Sequence, residues 1–510
     1  MSLVYIEGLT HANGGKKLYE NATLRINKGE HIALVGANGV GKTTLLNIIN
    51  NSIIPDHGNI EVHPRVTVGY LDQHQKVDGE LTVNAYLEGA YKELFDIEAQ
   101  ISKIYEDMAI EYKEDELVRA LKLQEHLDLN DFEIIGKKIR SLVDGLGIEH
   151  ERLEQKMSSL SGGQRGKVLL AKLLLSENDY LLLDEPTNFL DIEQVDWLAK
   201  FLQSFEPAFI MVSHDSEFIN KTCNIIYEIE NLKINRYVGN FDKYIEQSEL
   251  RKEQYTKEWA GQQKTIKKLE TYVAKNAARA STAKSAQSRQ KQLDKMDVMK
   301  ELSEQAKPKF SFKYKRPASS VIVKAEKLEM GYDFALTHPL NFELREGEKC
   351  IVSGYNGIGK TTFLKTLAGE IPAISGTCEL GNGVQVAYFR QIEKNTEMTP
   401  VQYIKNIHED MPESTIRATI AKFGLKSALM NNPMHMLSGG EQTKVRLAEA
   451  SLIPCSLLIL DEPTNHIDIL AKEALLESIK NFEGTVLLTT HDINFSTQWA
   501  DKILDFEKLV

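Results

Sequence analysis

Two stretches carry the first chemistry in this sequence, GANGVGKTT from Gly36 and GYNGIGKTT from Gly354. A strand-like IALV precedes Gly36 and a helical TTLLNII follows Lys42, the setting in which GxxxxGK[ST] wraps a phosphate. Glycines let backbone N–H groups turn inward, and the helix start favours an anion. The candidate nucleotide ligands are Gly36, Asn38, Gly39, Gly41, Lys42, Thr43 and Thr44, and again Gly354, Asn356, Gly357, Gly359, Lys360, Thr361 and Thr362. Lys42 and Lys360 should reach the β- and γ-phosphates of ATP, and the Thr43 and Thr361 hydroxyls should ligate Mg²⁺. Asp184 and Asp461 end apolar strands, a place that suits support of the metal ion. Glu185 and Glu462 come next, placed to orient or polarise an attacking water; a helix N-cap is the alternative for such a pair. His214 and His491 each follow a further apolar strand and are candidates to donate to the γ-phosphate. LSGGQ from Leu160 offers Ser161, Gly162, Gly163 and Gln164, and LSGGE from Leu437 offers Ser438, Gly439, Gly440 and Glu441. Each is an anion cradle without a lysine, suited to close over nucleotide held by another domain.

These residues are written twice in the same order, so the chain holds two copies of one α/β plan. The signature-like LSGG stretches lie 277 positions apart, whereas the phosphate loops lie 318 apart. The first copy therefore holds about 41 extra residues between loop and LSGGQ, and they belong beyond Gln73. The stretch 86–133, with 14 acids against 5 bases and apolar residues at helical spacing, predicts a helical arm. A solvated helix pair without a partner is the alternative. Between the copies, Trp259, Ile266, Leu269 and Val273, then Leu293, Met296, Met299 and Leu302, keep helical spacing. They predict two helices of ~25 residues, each about 40 Å long, joined near Ala277 to Ser285. The expected division is a first domain at 1–245, a helical hairpin at 246–318 with a basic tip near 275–291, and a second domain at 319–510.

Charge is segregated along the chain. The 510 residues have a net charge of -12, yet Arg251 to Arg316 holds 18 bases and 7 acids. From Lys275 to Gln292 there is no acid at all, and Lys275, Arg279, Lys284, Arg289 and Lys291 are candidate phosphate-backbone contacts. No run nears the ~18 apolar residues that cross a bilayer. The N-terminus lacks a basic flank followed by an apolar core, so no secretory signal is expected. Cys223, Cys350, Cys378 and Cys455 are scattered, which fits buried thiols in a reducing cytoplasm.

Together these motifs resemble the ATP-binding cassette superfamily. Two cassettes without membrane segments, an arm in the first and a basic helical hairpin between them resemble its ABC-F group. YVGNFDKYIEQ from Tyr237 and KNAARASTAKSAQSRQKQLDKM from Lys275 also look like that group's linker. The resemblance implies an α/β fold of two tandem P-loop NTPase cassettes that close head to tail on two ATPs. The loop at Gly36 would face Ser438 to Gly440, and the loop at Gly354 would face Ser161 to Gly163. Gln73 and Gln391 fit the Mg²⁺-side glutamines, and Asp191 and Asp468 fit the aspartates that link the sites. Tyr332 fits the adenine-stacking aromatic of the second cassette, but Asn13 stands at the matching place in the first. The resemblance further implies a monomeric cytoplasmic ATPase that binds the ribosome when closed. Its linker would reach large-subunit RNA near P-site tRNA and the peptidyl-transferase centre, and it would leave on hydrolysis, as a translation factor for stalled ribosomes or as ribosome protection conferring antibiotic resistance. A soluble motor subunit of a transporter and a DNA-maintenance ATPase are the other readings, because phosphate attraction does not separate DNA from RNA.

Overall fold

The computed structural model describes residues 2–71, 77–276, 283–299, 307–332, 334–355, 357–390, 397–465, 467–490, 495 and 498–508. The strands of the first copy run β1 (Ser2–Asn13), β2 (Lys16–Asn27), β3 (His31–Val35), β4 (His57–Val62), β5 (Val68–Leu71), β6 (Tyr180–Asp184), β7 (Ala208–Val212), β8 (Ile225–Glu230) and β9 (Lys233–Val238). They form a small antiparallel sheet, β2-β1-β4, and a larger sheet, β5-β6-β7-β3-β8-β9, parallel except for the β8–β9 hairpin. Its helices are α1 (Lys42–Ile49), α2 (Val83–Glu88), α3 (Lys92–Ile110), α4 (Glu114–Leu129), α5 (Phe132–Gly145), α6 (Gly162–Leu175), α7 (Ile192–Gln203) and α8 (Ser216–Thr222).

The continuous apolar runs YLLLD and AFIMV are central parallel strands covered on both faces. Alternate side chains leave the sheet in opposite directions. Leu181, Leu183, Phe209 and Met211 join a core with α5, α6 and α7, whereas Tyr180, Leu182, Ile210 and Val212 join one with α1 and the small sheet. In-register pairing of β6, β7 and β3 brings the ends of those strands side by side. The phosphate loop, Asp184–Glu185 and Ser213–His214 all begin there, the edge at which parallel sheets collect their ligands. The arm expected at 86–133 is helical: α3 and α4 pack together and turn at 111–113.

The linker differs from the expected pair of equal helices. α9 (Phe241–Asn276) has 36 residues, about 54 Å at 1.5 Å each, and α10 (Ala283–Asp294) has 12. Trp259, Ile266, Leu269 and Val273 are half-buried, as are Leu293, Met296 and Met299, and α10 packs on α9; Leu302 and Arg279 lie outside the described residues. Gln262 braces the return, donating to the Asp297 carbonyl at 2.8 Å and accepting from the Met299 amide at 2.8 Å. The root of α9 is fixed by Glu228, buried on β8, which accepts from the hydroxyls of Tyr237 and Tyr244 at 2.9 Å each. The basic, aromatic stretch from Lys307 lies along the second copy. Phe310 packs on Phe423, Tyr314 meets Phe482, and residues 313–315 exchange backbone hydrogen bonds with Cys455.

The second copy repeats the plan. Its strands are β10 (Val321–Glu329), β11 (Leu340–Arg345), β12 (Lys349–Ser353), β13 (Ser375–Leu380), β14 (Val386–Phe389), β15 (Leu457–Asp461), β16 (Thr485–Thr489) and β17 (Lys502–Asp505). The sheets are β11-β10-β13 and a parallel β14-β15-β16-β12-β17. Its helices are α11 (Lys360–Leu367), α12 (Pro400–Ile407), α13 (Glu413–Lys422), α14 (Gly439–Leu452) and α15 (Ile469–Asn481). Among the described residues no helix is long and apolar enough to cross a membrane.

Candidate functional site

Each phosphate loop leaves a central strand and ends on a helix capped by glycine. Gly36 allows that turn, because a Cβ there would meet the Ile229 carbonyl at 2.9 Å. A Cβ on Gly41, at φ 107°, would strike Tyr19, whose hydroxyl donates to the Gly41 carbonyl. Neither α1 nor α11 has a side-chain cap, so their first N–H groups face the loop. The Lys42 ammonium donates to the carbonyls of Gly36 at 2.9 Å and Ala37 at 3.3 Å. Lys360 donates in the same way to Gly354 and Tyr355. Burial pulls both lysines below their usual pKa, while neighbouring carboxylates oppose the shift: Glu185, Asp468 and Asp184 for Lys42, and Glu462, Asp191 and Asp461 for Lys360. Thr43 is exposed at its loop, Thr44 and Thr361 are half-buried, and Thr362 is buried.

The carboxylate pairs close the other side. Asp461 is buried, with Oδ1 accepting from Thr489 Oγ1 at 2.8 Å. Its Oδ2 has no hydrogen bond of normal geometry among the described residues, and Thr361 stands beside it. Burial pushes this carboxyl up to about 6. A buried carboxylate oxygen with a free lone pair beside a threonine hydroxyl and a lysine suits a hard cation bridged to phosphate. Glu185 is driven up to about 8 by burial, against the pull of Lys42. His214 Nε2 lies 3.4 Å from Glu185 Oε1. Glu185 and Glu462 both sit in the left-handed region, at φ 49° and 51°, a costly conformation for a side chain with a Cβ. Backbone bonds hold it: the Glu185 amide donates to Val212 and the Glu462 amide to Thr489.

The LSGG stretches start α6 and α14. Ser161 and Gln164 form a capping box, as do Ser438 and Glu441. The fifth residue of each signature therefore spends its side chain on the helix start, a use that the spacing alone did not reveal. The two copies face each other head to tail. At the first site Gly39 lies against the Glu441 carboxylate of the second copy, and Lys16 donates to the Gly39 carbonyl. At the second site a cavity of about 1500 Å³ separates Lys360 and Thr361 from Ser161, Gly163 and Gln164, with Tyr332 on its wall. Tyr332 is exposed, in position to cover a bound base. Asp468 caps α15 and holds Lys444 at 3.2 Å; Asp191 caps α7 and lies 3.8 Å from Lys167.

Gln73, Asn356, Gln391, His491 and Arg279 lie outside the described residues. At the hairpin, Lys275, Lys284 and Lys291 are exposed, but the Arg289 guanidinium lies 3.6 Å above the Tyr272 ring. Arg289 braces α10 on α9 through a cation–π contact. Sequence reasoning passed over Tyr19, Lys16 and Lys472, and the lysines 264, 267 and 268 that line a shallow groove with Tyr272. The bases every three to four residues along α9 were the available signal for that groove.

Comparison with known proteins agrees with this arrangement. The ABC transporter family model ABC_tran matches residues 19–188 and 337–465, and the model ABC_tran_Xtn, also described as ABC transporter, matches 227–312. The uncharacterized ABC transporter ATP-binding protein YfmM of Bacillus subtilis is 42% identical, over 97% of this chain and 96% of its own length. ABC transporter F family member 5 of Arabidopsis thaliana is 30% identical, over 99% of this chain and 75% of its own. Among solved structures, the complex of archaeal ribosomal stalk protein aP1 with the archaeal ribosome recycling factor aABCE1 superposes with a TM-score of 0.60 at 18% identity. It covers 98% of this chain and 87% of that one, a likeness of fold. A tandem pair of nucleotide-binding cassettes with a helical linker defines the class, that of the ABC ATPases. Within it the chain belongs to the ABC-F family.

Proposed function

We propose that this ATPase binds the ribosome with its cassettes closed on two ATPs and sets its interdomain hairpin beside P-site tRNA and the peptidyl-transferase region. It leaves after hydrolysis. The observation that carries the reading is the acid-free basic segment from Lys275 to Lys291, at the far end of a 36-residue helix, on a chain of net charge -12. Such a segment matches the phosphate backbone of structured RNA. The solved neighbour described as an archaeal ribosome recycling factor is a likeness of fold, and the proposed working place, beside the ribosome, is the cytoplasm.

In this reading Lys42 and Lys360 hold the β- and γ-phosphates, and the opposing signatures cover them. Thr43, Asp184 and Gln73 would hold one Mg²⁺, and Thr361, Asp461 and Gln391 the other; the bound ion neutralises charge on the phosphates. Glu185 and Glu462 orient the attacking water, while His214 and His491 steady the γ-phosphate. The purpose is relief of stalled ribosomes, or protection of the large subunit from antibiotics.

Cosedimentation tests the proposal. The Glu185→Gln, Glu462→Gln double variant should pellet with ribosomes in ATP and stay in solution in ADP. Binding to membranes carrying a transporter, or to duplex DNA in place of ribosomes, would overturn it. Translation assays with and without a large-subunit antibiotic then separate the two purposes.

A further inference from the structure

The two copies differ in a residue of α15 that crosses between them. α15 begins the second cassette's approach to the first, and Ile469 packs against the first cassette's core. One turn later, the Lys472 ammonium donates to the backbone carbonyl of His214 at 3.1 Å. That carbonyl lies just past the end of β7, and the His214 ring lies 3.4 Å from Glu185. The Lys472 charge also opposes the burial that disfavours the Glu185 carboxylate. At the same step of α7, four residues after Asp191 as Lys472 is four after Asp468, stands Val195. Valine has no side-chain donor and no charge, so this position of α7 has nothing to donate toward the second site.

We propose that Lys472 is a positioning residue for hydrolysis at the first site alone, holding the His214 segment and Glu185 in place only when the second cassette has docked. The assignment rests on the ATPase activity of the family and on the water-orienting role given to Glu185. It makes the chemical step at the first site conditional on closure and leaves the second site free of that condition. Lys42 and Asp184 of the first cassette and Lys472 of α15 act on Glu185, and Asp468 and Lys444 of the second cassette act on Lys42 beside it. At the second site Val195 stands in the place of Lys472, so that position brings no charge across from α7.

The test uses the full chain in three forms: wild type, Lys472→Met and Lys472→Arg, with Lys472→Gln if the Met variant does not fold. Rapid-quench single turnover counts phosphate released per protein from each form. In Lys472→Met one phosphate per protein should appear about tenfold more slowly, well short of the 10²–10³-fold loss of a direct transition-state donor. Nucleotide affinity should stay within about twofold, and Arg, which can also donate to a carbonyl, should restore most of the rate. A readout independent of turnover is deuterium uptake by residues 212–218 with a non-hydrolysed ATP analogue bound, which should rise in the Met variant and not in the Arg variant. An unchanged rate, equal slowing of two phosphates per protein, or unchanged uptake would each overturn the assignment. Failure of the Glu185→Gln variant to lose turnover would instead sink the role of Glu185, so the two outcomes are distinguishable.

Discussion

The strained pair Glu185 and Glu462 concentrates the chemistry of this molecule at single positions. Both hold left-handed φ directly after a strand-ending aspartate, and both are tied by their amides to the neighbouring strand. Strain kept twice in the same place is the mark of a constraint that side-chain placement requires. Changing both to Gln keeps shape and hydrogen bonding, so ATP affinity should hold while steady-state phosphate release falls by ~10²-fold or more. Near-normal turnover would remove them from the reaction. Tyr332 allows a gentler check at the second site. Tyr332→Ala should weaken nucleotide binding there by about 0.5–1.5 kcal/mol, the worth of an aromatic stack, in titrations on a Lys42→Ala background. Equal affinity before and after would assign the base to another wall of the cavity. The phosphate loops and the Asp-Glu pairs were legible because their geometry is local: a strand, a turn and a helix within a few residues. Lys472, Lys16 and Tyr19 were not, because each acts on backbone far away in sequence or in the other cassette. The ring contact of Arg289 was hidden for a similar reason. Its charge is plain in the sequence, but its stacking on Tyr272 depends on how two helices meet.

Elements transmit what those residues do. The alternation of buried side chains along β6 and β7 feeds two cores at once, so the sheet cannot shift without disturbing both. α9 is joined to that sheet through Glu228, which accepts hydrogen bonds from Tyr237 and Tyr244 on the linker side. Removing this carboxylate takes the acceptor from three hydroxyls, those of Tyr237, Tyr244 and Ser248, at about 1–3 kcal/mol for each buried one. Glu228→Ala should therefore loosen the root of α9, raising deuterium uptake over 237–250 while uptake in the second cassette stays as before. Uniform protection in the variant would show that packing of Phe241 and Tyr244 suffices. The sequence pattern placed the linker helices but mistook their lengths: α9 runs 36 residues from Phe241, whereas α10 has 12. The aromatics from Phe310 to Tyr314 read as linker because they sit among lysines. Their rings belong to the second cassette's core, where lysine stems reach solvent around them.

At the scale of the whole molecule, charge is divided between a negative body and a positive hairpin, and that division sets how binding responds to salt. Each phosphate neutralised by a lysine releases counterions, so binding weakens as salt rises, with a slope proportional to the number of phosphates neutralised. Lys275, Lys284 and Lys291 are exposed and belong to neither cassette. Replacing all three with Ala should weaken the ATP-bound complex with ribosomes and reduce its salt slope by roughly 2, at ~0.7–0.9 for each phosphate that goes unneutralised. Intrinsic ATPase should be unaffected, because the nucleotide loops lie in the cassettes. Arg289→Ala should behave differently. It removes the brace on Tyr272, worth about 0.5–1 kcal/mol at an exposed site, and should loosen the hairpin before it changes the slope. Filter binding across a salt series, beside deuterium uptake over 264–292, separates the two effects. A slope that is unchanged in the triple variant would mean that the body, not the hairpin, meets the RNA.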